Sequence, residues 1–177
     1  IILADWPSLG AGFRQRGHAT LVLKCHYGAN NDEFQAVWAS EAPTPQAIFR
    51  GKKVYDPRDT AQTPDDKLTW TWSQSPTLCA TDFLRSDFGG RLTRSTFDWE
   101  RTSESASVDE VAVMTKAGVV EPQFICSAII ETSVSAIDVL RQFMLCNRGR
   151  FISTPAGLSM MAWRWKAPIF TIYDGIL

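Results

Sequence analysis

A chain of 177 residues that is 45% hydrophobic and 21% charged is long enough for one good core or two small ones, and its composition excludes an intrinsically disordered protein. Its net charge of -1 excludes a general attraction to nucleic acid, and its longest apolar runs fall far short of the ~20 residues that a membrane span needs. Four cysteines without a CxxC pair and only two histidines argue against a zinc site or a dense disulfide framework.

The first 69 residues are predicted to form a β-rich subdomain. Alternating apolar and polar positions, or runs of aromatic and β-branched residues, indicate strands at four places. These are residues 19–27, 33–38, 46–55 and 68–72. The polar turn at residues 28–32 makes the first two a hairpin, and Arg50, Gly51 and Lys52 form the tip of a strand pair within the third.

The strongest helix signal opens the second predicted subdomain, residues 70–177. Ser75 can cap the first turn of a helix, and Pro76 suits its first position. Apolar residues follow at roughly helical spacing, and the glycine pair at 89–90 is predicted to end the helix. The apolar set is Leu78, Ala80, Phe83 and Leu84.

A second helix is predicted from a cap at Ser95 or Thr96 toward Val113. We expect it to be broken at residues 102–105, because Thr-Ser-Glu-Ser is a weak helix-forming run. A turn is predicted at residues 116–118 and a strand at 121–132.

The third helix is predicted to begin at a cap on Ser133 or Ser135 and to end at residues 147–149. One apolar stripe is expected on its surface. Its members are Ile137, Leu140, Arg141, Met144 and Leu145. A hairpin is then predicted from residues 150–153 and 158–165 around a turn at 155–157. The chain begins without methionine and ends in an apolar stretch, so we expect a segment of a longer polypeptide.

The common catalytic signatures are absent from the sequence. There is no GxSxG, GxxxxGK[ST], GxGxxG or HExxH motif, and Gly10 and Gly12 supply only a fragment of a glycine loop. His18 lies near two arginines, which is a common surface feature. Cys25 and His26 are neighbours on a predicted strand, so their side chains point to opposite faces and make a poor nucleophile pair.

Two groups of residues are left as candidates for function. Two carboxylates beside a cleft could cleave a glycosidic bond, although the acidic residues available lie in a proline-bounded loop that favours a solvated surface. They are Asp56, Asp59, Asp65 and Asp66. The tryptophans Trp70, Trp72, Trp163 and Trp165 are candidates for core or subunit-interface packing, with Trp70 and Trp72 predicted on one face of a strand.

Several segments match, in order and spacing, the pattern of phage tail hub and tip-attachment proteins. The segments are VYDPR at residues 54–58, WTWSQSPTLCATDFL at 70–84, ASVDE at 106–110, EPQFICS at 121–127 and AIDVL at 136–140. The chain therefore resembles this family, which includes the lambda-type host-specificity protein and the hub of gene transfer agents. It departs from the pattern at Ser75 and Ser127, where asparagine is usual, and at Phe83, which replaces tyrosine.

The resemblance implies an α+β fold. A β-rich, barrel-like N-terminal half, residues 1–69, would precede an α+β half, residues 70–177, with about three helices and antiparallel strands. It also implies a structural role in the virion: a hub, generally trimeric, that closes the tail tube and joins it to the baseplate or receptor-binding apparatus.

The expected partners are copies of the chain and other tail proteins, namely the distal tail protein, the tail tube and the tape measure. No catalysis, small-molecule substrate, cofactor, metal or sequence-specific nucleic-acid binding is expected. Two alternatives stay open: a tail-associated cell-wall hydrolase that uses the acidic group, and a receptor-binding module that uses the loop at residues 28–32.

Overall fold

The computed structural model describes residues 30–38, 50–131 and 133–165 of the chain. These residues contain α-helices and two-stranded antiparallel sheets, which confirms the α+β class, but their sheets form no barrel. Most of the half that was expected to be barrel-like, residues 1–29 and 39–49, lies outside the described ranges. No helix among the described residues is long and apolar enough to cross a membrane.

The chain divides into two compact units, Ile1–Phe49 and Arg50–Leu177. Strand β1 (Lys53–Val54) pairs antiparallel with β2 (Thr71–Trp72), a partner that the sequence did not indicate. The boundary that was predicted after residue 69 therefore falls inside the second unit.

In the first unit, residues Asn31–Trp38 form helix α1, so the strand predicted at 33–38 and its hairpin are wrong. The Glu33 amide donates a hydrogen bond to Asn30 Oδ1 at 2.9 Å, which is an N-cap contact. Asp32 and Glu33 lie in the first turn, where the helix dipole favours negative charge. This local capping signal outweighs the β-propensity of the aromatic residues that follow.

Helix α2 (Pro76–Arg85) confirms the strongest sequence prediction. The Ser75 hydroxyl accepts a hydrogen bond from the Leu78 amide at 3.3 Å, and the predicted apolar set is buried. The helix ends at Arg85, before the glycine pair. A Cβ on Gly89 would lie 1.9 Å from the carbonyl oxygen of Phe83, so glycine is needed where the chain folds back against the last turn.

Helix α3 (Trp99–Asp109) is capped by Asp98, whose side chain accepts a hydrogen bond from the Arg101 amide at 3.0 Å. The caps predicted at Ser95 and Thr96 are wrong, because both residues lie in a short 3-10 helix, Arg94–Thr96. The helix also stops at Asp109 instead of continuing toward Val113.

The break predicted at residues 102–105 is absent, and α3 is continuous. Thr102 and Ser105 are buried, and their hydroxyls have partners within the fold. Thr102 Oγ1 donates to the Asp98 carbonyl at 2.8 Å, and Ser105 Oγ accepts from the Ala162 amide at 3.3 Å. Tertiary contacts thus stabilise a run whose helix propensity is low.

Strands β3 (Ala112–Met114) and β4 (Val120–Pro122) form a hairpin around the predicted turn at 116–118, where Gly118 has a φ of 79°. The long strand predicted at 121–132 ends at Pro122. The amide of Phe124 bonds to the Asp109 carbonyl at 2.9 Å, and that of Cys126 bonds to the Gln74 carbonyl at 2.9 Å. These bonds attach the segment to the ends of two helices instead of extending a sheet.

Helix α4 (Ala136–Cys146) begins after Ser135 and ends just before Asn147, as predicted, but the Ser135 side chain makes no capping hydrogen bond. The stripe prediction is partly wrong, because Ile137 and Leu145 are exposed and the helix buries Val139 and Phe143. The burying face is set by α2, whose Phe83 ring lies 6.2 Å from that of Phe143.

The predicted C-terminal hairpin is confirmed as β5 (Arg150–Thr154) and β6 (Gly157–Met161). Met160 of β6 completes the main core cluster with residues of α2 and α4. The cluster consists of Ala80, Phe83, Val139, Phe143 and Met160. Helices α2, α3 and α4 match the number expected for this half.

Candidate functional site

Three helix ends meet at the buried carboxylate of Asp109, the last residue of α3. Its Oδ2 accepts hydrogen bonds from the Ser75 hydroxyl at 2.7 Å and from the Thr77 amide at 3.0 Å. Its Oδ1 accepts one from Asn147 Nδ2 at 3.1 Å. Asp109 therefore joins the end of α3 to the start of α2 and the end of α4, and its charge complements the N-terminus of α2.

A buried carboxylate with a perturbed pKa is a candidate for acid–base chemistry. Burial raises the pKa of Asp109, although the donors of Ser75, Thr77 and Asn147 favour the charged form. Asp109 has no solvent exposure, and among the described residues no buried side-chain nitrogen or oxygen lacks a partner. Both oxygens of the carboxylate accept hydrogen bonds from this chain, and these bonds hold the helix ends together.

A second polar contact joins the turn after β1 to the same end of α3. The Arg58 guanidinium binds Asp56 through two hydrogen bonds of 2.9 and 2.6 Å and lies 2.8 Å from Glu110. Burial alone would raise the pKa of Asp56, but hydrogen bonds and charge from Arg58 outweigh it, so the pKa is lowered. Both carboxylates raise the pKa of Arg58. The group is a structural ion-pair cluster.

The motif segments thus contact one another through Asp109, the last residue of α3, and Glu110, which follows it. Asp109 binds the Trp-Ser-Gln-Ser-Pro segment through Ser75, and Glu110 binds the Asp-Pro-Arg segment through Arg58. The fourth segment joins the same region, because Gln74 Nε2 donates to Ser127 Oγ at 3.1 Å. Sequence reasoning identified these segments but not their convergence, because the helix was expected to run on to Val113.

Each member of the acidic group proposed for hydrolysis contacts local donors or cations. Asp56 is held by Arg58, and Asp59 accepts hydrogen bonds from the Ala61 amide at 3.0 Å and from Gln62 Nε2 at 3.1 Å. Asp65 lies 3.8 Å from the guanidiniums of Arg85 and Arg94. Asp66 accepts the Leu68 amide at 3.0 Å. These contacts are those of turn residues and exposed ion pairs.

The four candidate tryptophans have different surroundings. Trp70 is 4% exposed, and its indole nitrogen donates to the Thr63 carbonyl at 2.9 Å. Trp72 is 37% exposed, with the Arg50 guanidinium 5.0 Å from its ring centre. Trp163 and Trp165 are 52% and 76% exposed. Trp70 therefore belongs to the core of this unit, and the other three present aromatic surface to solvent.

Cys79 and Cys126 lie against the main core cluster, and neither they nor Cys146 form a disulfide. A hydrogen bond with Cys79, together with burial, raises the pKa of Cys126, so its thiol is a poor nucleophile. The described residues contain no cluster of His, Cys, Asp and Glu that could hold a metal ion. Gly10, Gly12, His18, Cys25 and His26 lie outside those residues, as does part of the loop at 28–32.

The hairpin of β3 and β4 presents an apolar face to solvent. Its register places Met114 opposite Val120 and Ala112 opposite Pro122, so the four side chains share one face. All four are exposed, Met114 by 76% and Val120 by 62%. We call this surface the hairpin face. An exposed apolar face of this kind is a candidate contact surface.

No protein-family model matches the chain, and no curated protein matches it.

Proposed function

We propose that this chain is a structural component of a phage or phage-like tail tip. It is a hub protein that closes the tail tube and connects it to the baseplate or receptor-binding apparatus. It assembles as a homotrimer in the virion, contacts the distal tail, tail tube and tape measure proteins, and acts without catalysis or a cofactor. The proposal also includes a barrel-like fold for the N-terminal half of the chain, residues 1–69.

The observation that carries the proposal is the hairpin face. A subunit that builds a ring must keep apolar surface available for its neighbours, and in the free chain that surface is exposed. Ala112, Met114, Val120 and Pro122 meet this requirement on an ordered element. The motif segments add support, because they make a tightly linked scaffold from which the hairpin extends.

Several charged groups whose hydrogen-bonding and ion-pair partners lie within the chain also favour a scaffold over an enzyme. Asp109 and Arg58 bind groups of the same chain, and the loop carboxylates of the hydrolase alternative are engaged by local donors and cations. Mutation of these residues would therefore remove contacts that maintain the fold.

The test is assembly of the full chain with its tail partners, followed by native mass spectrometry and light scattering. We expect a species of three chains. The double variant Met114→Glu/Val120→Glu should return it to monomers, because burying each such apolar side chain contributes about 1.5 to 3 kcal/mol and a glutamate there would also bury charge.

The matched control is Lys116→Glu, which adds a carboxylate at the tip of the same hairpin. It should leave the trimer intact. A wild-type chain that stays monomeric with its partners and never enters a tail would contradict the proposal. So would a trimer that survives the double variant, because the hairpin face would then not be the subunit contact.

A further inference from the structure

A groove of about 460 Å³ lies between α3 and the hairpin of β5 and β6, on surface that shares no residue with the hairpin face. Four arginines and a single carboxylate line it. They are Arg101, Arg148, Arg150, Arg164 and Glu104. We call it the arginine groove. Its surplus of positive charge is unusual for a chain whose net charge is -1.

The positive charge in the groove is largely uncompensated. Arg101 lies 3.7 Å from Glu104, which is an exposed pair. Among the described residues, Arg148, Arg150 and Arg164 are exposed, and their guanidinium groups have no hydrogen-bond or ion-pair partner. Three guanidiniums are therefore available to bind anionic groups, which they can do in a bidentate manner.

The backbone holds these arginines in place. Arg148 has a φ of 51°, the left-handed conformation that follows many helices and that glycine adopts with less strain. The Trp163 amide donates to the Asn147 carbonyl at 3.2 Å, which fixes the segment of Trp163 and Arg164 beside the end of α4.

The floor of the groove is apolar. Val108 of α3, Ile152 and Met161 of the hairpin, and Ala162 lie along it. The hydroxyls of Ser105 and Ser159 also line the groove but have partners inside the fold. A small polar ligand would thus find few convergent hydrogen-bonding groups besides the arginines.

We propose that the arginine groove binds an acidic segment of a partner protein, in which carboxylates flank an apolar side chain. The carboxylates pair with Arg148, Arg150 and Arg164, and the apolar side chain packs on the floor beside Trp163. Nucleic acid is the less suitable occupant, because its phosphates would gain nothing from the apolar floor and the chain has no general positive field. The proposal goes beyond the role of a hub and does not require a trimer.

The test is fluorescence anisotropy of the full chain with three labelled probes. The first is a short peptide of glutamates around leucines, the second has glutamine in place of each glutamate, and the third is a short oligothymidylate. We expect the acidic peptide to bind best and its affinity to fall as salt rises, because exposed charges are screened.

The variant Arg148→Glu/Arg150→Glu should weaken binding of the acidic peptide at least about tenfold, since it replaces attraction by repulsion. The matched control Lys67→Glu/Lys116→Glu makes the same charge change outside the groove and should bind as the wild type does. Arg148→Gln/Arg150→Gln, which only removes charge, should give an intermediate loss and guards against a folding defect in the first variant.

Four binding results would overturn the proposal. They are no binding of the acidic peptide, equal binding of the glutamine peptide, binding that both double-glutamate variants weaken equally, and tighter binding of oligothymidylate. Self-association that only the groove variant abolishes would assign the groove to a second copy and also overturn it. Trimer formation should be unaffected by the groove variant, so this test and that of the hub role fail separately.

Discussion

Replacement of Asp109 by asparagine tests whether the meeting point of the helix ends stabilises the fold. The change keeps the shape of the side chain but turns one acceptor oxygen into an NH2 group. The favourable amide orientation keeps its oxygen near the Ser75 hydroxyl and the Thr77 amide, where Oδ2 now accepts two hydrogen bonds. The new NH2 group then opposes Nδ2 of Asn147, which now donates to Oδ1 at 3.1 Å.

Asn147 cannot relieve this conflict by rotating its amide. Its Oδ1 accepts the Gly149 amide at 3.0 Å, and rotation would place an NH2 group against that donor. One hydrogen bond to a charged acceptor is therefore lost, at about 1.5 to 3 kcal/mol, and a buried donor is left unsatisfied, at about 1 to 3 kcal/mol. We expect the free energy of unfolding to fall by about 3 kcal/mol.

The measurement is urea unfolding at neutral pH, followed by far-ultraviolet circular dichroism. The matched control is Asp87→Asn, the same chemical change at an exposed residue that follows α2, and it should change stability by less than about 0.5 kcal/mol. A loss for Asp109→Asn no larger than that of the control would refute the reasoning, because the carboxylate would then not hold the helix ends together.

Two further predictions concern the contact between the C-terminal hairpin and the start of α3. Gly157→Ala should destabilise the fold by about 2 to 4 kcal/mol, because φ is +139° there and a Cβ would lie 2.6 Å from the Thr96 carbonyl oxygen. The control Gly51→Ala has open space around its Cβ and should be nearly neutral in the same urea assay. Thr154→Val removes the 2.6 Å bond to Asp98 that lowers the pKa of this carboxyl below its usual 3.8. The stability that this bond gives the wild type is present above pH 3.8 and is lost as the pH falls through the pKa of the folded state. The difference in free energy of unfolding between wild type and Thr154→Val should therefore shrink below pH 3.8. A difference that widens on acidification would contradict this expectation.

Local signals predicted the elements whose ends are set by their own residues. Ser75 and Pro76 begin α2, Asn147 ends α4, and the turn of the last hairpin lies where proline and glycine indicate it. In each case the deciding contact lies within a few residues of the chain, so the sequence carries the information directly.

Tertiary contacts decided the elements that the sequence did not predict. The continuity of α3 depends on Thr102 and Ser105, whose hydroxyls are satisfied by contacts that include the distant Ser159 and Ala162. The buried face of α4 follows from the position of Phe83 on α2, which selects Phe143 over Leu145. The strand predicted at 33–38 failed for a local reason, because the capping role of Asn30 was read as part of a turn.

The candidate contact surfaces could not be predicted, because each is assembled by register and packing. Met114 and Val120 share a face only once β3 and β4 pair, and the groove joins α3 to residues about 50 positions away. Of the candidate tryptophans, only Trp163 lines one of these surfaces.

The motif segments share two residues with the candidate contact surfaces, Val108 of the arginine groove and Pro122 of the hairpin face, but their polar contacts lie elsewhere. Asp56, Arg58, Ser75 and Asp109 have their hydrogen-bonding groups filled within the chain, so substituting them would alter the scaffold and not a binding partner's contacts. Within the part of the chain that the structure describes, the exposed side chains of the hairpin face and the guanidiniums of Arg148, Arg150 and Arg164 have no such hydrogen-bond or ion-pair partners. Substitutions of those exposed side chains should therefore change the stability of the fold little.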